Sequence, residues 1–372
     1  MSKGEARAGS ALTIGPSQLG WHRRPGPPPD IGVGCTLSRV AVEHRGAYEL
    51  VGNAGEATGA LDAATRNAAQ TSLDFPTVGD WVVRSLEPQH DRRVVITEVL
   101  ERQSLLCRRA AGPRARPQLV AANADVLAVV TVAGATDPSD PTDSDNVGHR
   151  IEWYLAAAYR GGARPVIVVN KIDNVTRSDF DATVDGLRRR LGSAASQIPI
   201  LGTSAVNGRG LDELALLARD GSTLALSGPS GVGKSSIVNR LAGADVVPVA
   251  PLSPDGRGRH TTVRRQLVPV GGPGGGTLVD TPGLQDLIPW GGDLGLQRGA
   301  GPADALAAVF GEIAALAQSC RFTDCAHTVE PDCAVTAAAA AGELAAERLS
   351  TYLELVTDMA IPEMFGSERA PR

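Results

Sequence analysis

The stretch Gly228-Pro229-Ser230-Gly231-Val232-Gly233-Lys234-Ser235 matches the phosphate-loop spacing G-x-x-x-x-G-K-[ST]. Glycines are needed in such a loop because the backbone must curl around phosphate oxygens, offering N–H groups where a Cβ would collide. The helical pattern that follows, from Ser235 to Leu241, brings the partial positive charge of a helix N-terminus to the same point. Lys234 is expected to reach the β- and γ-phosphates and Ser235 to give its hydroxyl to Mg²⁺, with Ser236 completing the contacting run. Lysine is scarce in this chain: Lys3, Lys171 and Lys234 are its only three, against 33 arginines. Two of them fall inside nucleotide motifs, where a compact ammonium on a flexible stem does what a planar fork cannot.

Three more runs fit the same ligand. Asn170-Lys171-Ile172-Asp173 directly follows the apolar run PVIVV, at the C-terminal tip of an expected parallel strand, where open α/β sheets bind ligands. A carboxylate at 173 can accept two hydrogen bonds from guanine's ring N–H and exocyclic amine; adenine offers no such pair. Asn170 would tie the loop, and the Lys171 stem would cover the base. Thr203-Ser204-Ala205 ends another apolar strand and offers backbone to the base edge. Asp280-Thr281-Pro282-Gly283 ends the run TLVD: Asp280 would hold Mg²⁺ through water, and the Gly283 N–H would meet the γ-phosphate. Leu284 follows, where many GTPases carry a water-orienting glutamine. His260, in GRGRHTT (256–262), is therefore the candidate catalytic group, with Thr261 or Thr262 as a further magnesium ligand. The expected ligands are GTP and GDP, and the expected reaction is hydrolysis of GTP to GDP and phosphate.

A separate cluster sits late in the chain. Cys320, Cys325, His327 and Cys333 offer three thiolates and an imidazole within fourteen residues. Such a set closes a tetrahedral zinc site of the structural kind, with no position left for water. Cys35 and Cys107 are expected to be ordinary buried thiols.

These residues must be positioned by a chain of 372 residues, too long for one core. Residues 1–32 are rich in Gly, Pro and polar side chains and are expected to be a disordered tail. Between 33 and 118, β-type runs at Thr36–Glu43, Ala47–Val51, Asp80–Ser85 and Arg93–Leu100 suggest a small β-barrel of the OB-fold kind. From 119 to 290, compact apolar runs (Val126–Ala133, Pro165–Val169, Thr223–Leu226, Thr277–Val279) alternate with helical patterns, which reads as an α/β domain with a parallel sheet. From 291 to 372 the chain is Ala-rich and helical around the cysteines, with one helix expected over Pro302–Gln318 and another through Leu349, Tyr352, Leu353 and Val356.

The order of the motifs is unusual. The base-reading run (170) precedes the phosphate loop (228), the reverse of a small GTPase. Motifs act in space, so a cyclic shift leaves the pocket intact and moves only the termini. With its barrel, permuted motifs, GRGRHTT and cysteine cluster, the chain over residues ~33–358 resembles the RsgA (YjeQ) family of circularly permuted GTPases. The resemblance implies binding to the 30S ribosomal subunit and its 16S rRNA late in maturation, with hydrolysis linked to release. It also matches the four zinc ligands position by position and points to His260. The alternative is a GTP-regulated, zinc-containing RNA-binding protein acting on a different partner.

Bulk properties restrict the rest. No stretch approaches the ~20 apolar residues of a membrane-spanning helix, and no signal peptide is evident at the N-terminus, so a cytoplasmic monomer is expected. The net charge of −5 argues against a protein that coats nucleic acid over its whole surface. Residues 84–116 nevertheless carry eight arginines against four acids, a pattern more common on a solvated face than in a binding site.

Overall fold

The computed structural model describes residues 15, 17–25, 29–89, 91–110, 116–133, 151–247, 265–271, 274–281 and 288–360. Its first unit is a five-stranded barrel: β1 (Cys35–His44), β2 (Ala47–Val51), β3 (Ala57–Leu61), helix α1 (Ala63–Ala68), β4 (Trp81–Ser85) and β5 (Val94–Val99). The strands run in the order β1-β2-β3-β5-β4, and β4 returns to pair with β1, closing the barrel. β3 pairs with β5 in parallel and all other neighbours are antiparallel, as an OB-fold requires. Inward-facing Val40, Tyr48, Leu50, Leu61, Val82, Val94 and Ile96 fill it. β3 is poor in β-formers because the barrel is tight there: a Cβ on Gly59 would come within 2.7 Å of Leu50 and 3.2 Å of Ile96.

A hairpin of β6 (Leu105–Arg109) and β7 (Pro117–Ala122) follows. β7 runs through residue 118, so the expected barrel boundary falls inside a strand and not in a linker. The α/β unit then comprises β8 (Val126–Val132), α2 (Ile151–Arg160), β9 (Arg164–Asn170), α3 (Arg177–Leu191), β10 (Ile200–Gly202), α4 (Leu211–Leu216), β11 (Thr223–Ser227), α5 (Lys234–Ala242), β12 (Gln266–Pro269) and β13 (Thr277–Asp280). Strands β10-β9-β8-β11-β13 are parallel, and β12 adds antiparallel to β13. The apolar runs are buried on both faces. Leu127, Val129, Ile167, Val169, Ala225 and Val279 pack toward α2, α3 and the C-terminal helices. Val126, Ala128, Val130, Val166, Val168, Leu224 and Leu226 pack toward α4 and α5. The barrel is not a separate bead, because β12 also pairs with β1 through Val42 and Gln266, so one sheet runs from unit to unit.

The last unit holds α6 (Pro302–Val309), α7 (Gly311–Ala317), α8 (Ala334–Ala340) and α9 (Ala346–Ala360). The single helix expected over Pro302–Gln318 is broken at Phe310, whose backbone leaves the helical region (φ −121°, ψ 50°). Phe310 is fully buried, edge-on to Tyr352 with ring centroids 5.5 Å apart. The α9 core stripe includes Leu349, Tyr352 and Val356 as expected, but its fully buried residue is Leu355, and Leu353 lies outside the cluster. Arg348 fastens this unit to helices α2 and α3 of the α/β unit: it pairs with Glu312 at 2.6 Å and with Glu152 of α2 at 3.5 Å, and Glu152 also holds Arg190 of α3 at 2.9 Å.

Three further expectations are corrected. Residues 17–25 are not a disordered tail: Leu19 is fully buried, and Trp21, in a short 3₁₀ turn, meets Trp81 edge-on at 5.0 Å. Cys107 is a buried thiol pushed up to about 12 by desolvation, whereas Cys35 is only half-buried. The arginines of 84–116 do not share one face either. Arg84 is buried against Ser38, Arg102 pairs with buried Asp80 at 2.7 Å, and Arg109 pairs with Asp358 at 3.6 Å.

Candidate functional site

Because the five strands are parallel, their C-terminal ends emerge on one edge. That edge carries Asn170 at the end of β9, Thr203 after β10, Gly228 after β11 and Asp280 at the end of β13. The phosphate loop spans 228–233, and α5 begins at Lys234. Its glycines are sterically required: Gly228 (φ +138°) and Gly233 (φ +97°) occupy backbone regions that side chains rarely adopt. A Cβ would come within 2.3 Å of the Val130 carbonyl at the first and 2.4 Å of Asn170 Nδ2 at the second.

Asn170 is 1% exposed and joins three motifs. Its Nδ2 donates to the Val232 carbonyl (2.8 Å) in the phosphate loop, and its Oδ1 accepts from Thr203 Oγ1 (3.2 Å). Lys171, held at φ +60°, sends its ammonium to the Gly231 carbonyl (2.7 Å). The base-reading and phosphate-binding runs, some sixty residues apart in sequence, are thus in direct contact. Ile172 is buried behind them, and Asp173, two residues beyond Lys171, is exposed and open to a ligand. Ser204 is fully buried, with its Oγ accepting from the Asn207 N–H (3.2 Å), and Ala205 is half-buried beside it.

On the phosphate side, Lys234 is buried and folds back to donate to the Gly228 and Pro229 carbonyls at 2.8 and 2.6 Å. Burial pushes its ammonium down to about 8, against the opposing pull of Asp280. Pro229, Ser230, Gly231 and Val232 form the wall of the loop, and Ser236 is half-buried in the first turn of α5. Ser235 Oγ donates to Asp280 Oδ2 (3.1 Å), so the two candidate magnesium ligands among the described residues meet at one point. Thr281, fully buried, donates to the Leu226 carbonyl (2.6 Å) and locks the end of β13 to β11. Thr203 and Thr281 are positioning residues that the motif reading passed over, although both lie inside the motifs. His260, Thr261, Thr262 and Gly283 lie outside the described residues.

The cysteine cluster also assembles. The ligand atoms of Cys320, Cys325, His327 and Cys333 all lie within 4.8 Å of one another. Cys320 Sγ is 3.8 Å from Cys333 Sγ and 3.6 Å from His327 Nδ1, and Cys333 Sγ is 3.5 Å from that nitrogen. A tetrahedron with Zn–S bonds of about 2.3 Å has edges of about 3.8 Å. The set fits a metal ion of that size. His327 reaches it from a left-handed backbone (φ +59°), and Cys333 caps α8.

Fold and site define a P-loop nucleotide-binding protein of the GTPase class, with its motifs in permuted order. Residues 99–289 match the RsgA GTPase family model. The chain is 35% identical over 351 residues to the small ribosomal subunit biogenesis GTPase RsgA 2 of Lactiplantibacillus plantarum, covering 91% of each. It is 42% identical over 281 residues to the small ribosomal subunit biogenesis GTPase RsgA of Streptomyces avermitilis, covering 75% of this chain and 68% of that one. Its fold is similar to the crystal structure of YjeQ from Thermotoga maritima (TM-score 0.55, 25% identity, 87% of this chain and 98% of that one). It is also similar in fold to YloQ, a circularly permuted GTPase (TM-score 0.52, 21% identity, 90% and 97%). The chain belongs to the RsgA GTPase family. It is a GTP hydrolase. Among the described residues no helix is long and apolar enough to cross a membrane.

Proposed function

We propose that this GTPase acts in the late maturation of the small ribosomal subunit, binding it as a cytoplasmic monomer and coupling hydrolysis to its own release. The reading rests on the relatives, which are named for small-subunit biogenesis. The contact of Asn170 with Val232 carries the nucleotide assignment, because it joins the base-reading and phosphate-binding runs into one pocket. Asp173 reads guanine, the 228–236 run wraps the phosphates, and Ser204 and Ala205 offer backbone to the base edge. Ser235 and Asp280 hold the magnesium ion with Thr261 or Thr262, and Gly283 meets the γ-phosphate. Bound Mg²⁺ supplies positive charge against the phosphate oxygens.

Lys234 gives up its two carbonyls for phosphate oxygens, a better partner for a desolvated ammonium. His260 orients the attacking water, a role Leu284 cannot take. Cys320, Cys325, His327 and Cys333 hold a structural zinc ion, and the barrel and zinc unit contact 16S rRNA. The test is GTP turnover with and without purified 30S subunits. Slow intrinsic hydrolysis accelerated severalfold or more is expected; no acceleration would assign the GTPase another partner.

A further inference from the structure

Five arginines surround a cavity at the edge of the sheet opposite the phosphate loop. The cavity measures about 160 Å³ and lies where four parts of the chain meet. Arg23 and Arg24 come from the N-terminal segment, Arg39 from β1, Arg164 from the start of β9, and Arg298 from the stretch leading to α6. Among the described residues Asp125, just before β8, is the one carboxylate lining it. The described lining residues thus carry a formal excess of four positive charges.

Among the described residues Arg23 pairs with that carboxylate at 3.3 Å, the Thr223 N–H donates to its other oxygen at 2.8 Å, and Arg39 feels its charge without a direct contact. Arg24 donates to Asn123 Oδ1 (3.3 Å) and to the Glu101 carbonyl, both uncharged acceptors. Arg39 is 1% exposed, yet its donors go to the carbonyls of Gly79, Leu19 and Asn123 and to the Thr277 hydroxyl. A buried guanidinium hydrogen-bonded to neutral acceptors is a costly arrangement, and burial brings its pKa down to about 10 against the opposing pull of Asp125 and Asp80. The side chains of Arg164 and Arg298 are exposed and make no ion pair or hydrogen bond among the described residues. Trp81 walls one side, with the Arg39 guanidinium 5.5 Å from its ring centre. Arg24 is held likewise over Trp21, at 5.1 Å. Aromatic stacking of this kind fixes a guanidinium plane before a ligand arrives.

We propose that this cavity is an anion site that takes a phosphate group, clamped by guanidiniums from the N-terminal segment, the barrel, the central sheet and the stretch before the zinc unit. At about 30 Å³ per water, its volume equals roughly five waters, room for one or two phosphate groups but not a nucleoside as well. Planar guanidiniums match phosphate oxygens with paired N–H bonds, and a shared anion removes the repulsion among the five. The site is one strand length from the phosphate loop: Thr223, at the start of β11, lines the cavity, and Gly228 follows the end of that strand. Bound nucleotide therefore leaves it open.

The experiment uses the full-length protein saturated with GDP, so that the phosphate loop is filled. Pyrophosphate and a short single-stranded RNA are titrated separately at constant ionic strength, read by calorimetry and by tryptophan fluorescence, since Trp81 lines the cavity. Arg164→Ala/Arg298→Ala is expected to weaken binding at least tenfold while leaving GDP affinity and thermal stability unchanged. The double lysine variant should recover part of the loss. Pyrophosphate binding that the alanine pair abolishes identifies a free anion as the ligand. Binding of RNA alone, again lost in the alanine pair, identifies a nucleic-acid backbone phosphate. Failure of both probes to bind the GDP-saturated wild type, or equal binding by the alanine pair, overturns the proposal.

Discussion

Replacing Asn170 with alanine removes two hydrogen bonds from a side chain that is 1% exposed. The Val232 carbonyl loses its Nδ2–H donor and the Thr203 hydroxyl its Oδ1 acceptor. An unsatisfied buried polar group costs about 1–3 kcal/mol. Two such groups, partly relieved by local rearrangement, cost about 2–4 kcal/mol together. At 1.4 kcal/mol per factor of ten, that is a roughly 30- to 700-fold loss in GDP affinity if the cost falls wholly on the nucleotide-binding arrangement. Calorimetric titration with GDP, alongside thermal unfolding of the free protein, separates this from a general loss of stability. Asn170→Asp should do no better than alanine: it keeps an acceptor for Thr203 but turns a carboxylate oxygen toward the Val232 carbonyl. GDP affinity within threefold of wild type, with an unchanged unfolding temperature, would show that the contact joining the two motifs contributes nothing.

Other perturbations read the same site from different sides. Lys234 sits at about 8 in the free protein and should be held charged by nucleotide phosphates, so binding takes up a proton above that pH. GDP affinity should be flat below pH 8 and fall as pH rises from 8 toward 10.5, with proton uptake measured by calorimetry in buffers of different ionisation enthalpy. Asp173→Asn should move preference from guanine toward xanthine nucleotides, and retained GTP preference in a competition assay would assign base reading to another residue. Chelation, or Cys320→Ser, should release one zinc per chain by metal analysis and expose residues 320–340 to proteolysis while leaving GDP affinity mostly intact.

Most of the site was legible because each motif ends an apolar run, and a buried parallel strand declares its C-terminal tip in sequence. The contacts between motifs were not. Nothing in NKID announces that Asn170 bonds the Val232 carbonyl, since that depends on two strands lying close in a sheet whose order is not written locally. About five barrel strands were expected and five are present, but β3 had no range of its own in the sequence, because Ala57–Leu61 gives up β-propensity to fit against Leu50 and Ile96. The break at Phe310 was hidden for a different reason: Ala-rich sequence continues on both sides, Gly311 is a single weak breaker, and the burial of Phe310 beside Tyr352 is a tertiary contact. Ordering at 17–25 follows from Leu19 and Trp21 finding a hydrophobic seat on the barrel, a tertiary reward that composition cannot register.

The pairing of β12 with β1 has a mechanical meaning. Gln266 opposes Val42 of the barrel on one side and Asp280 on the other, and it stands only four residues past Thr262. A displacement of β12 is therefore carried into both units at once, through Val42 on one side and Asp280 on the other. The barrel is thus hung on the same strand that flanks the end of β13, like a rudder on a fixed post, so its angle against the parallel sheet is tied to the position of β12.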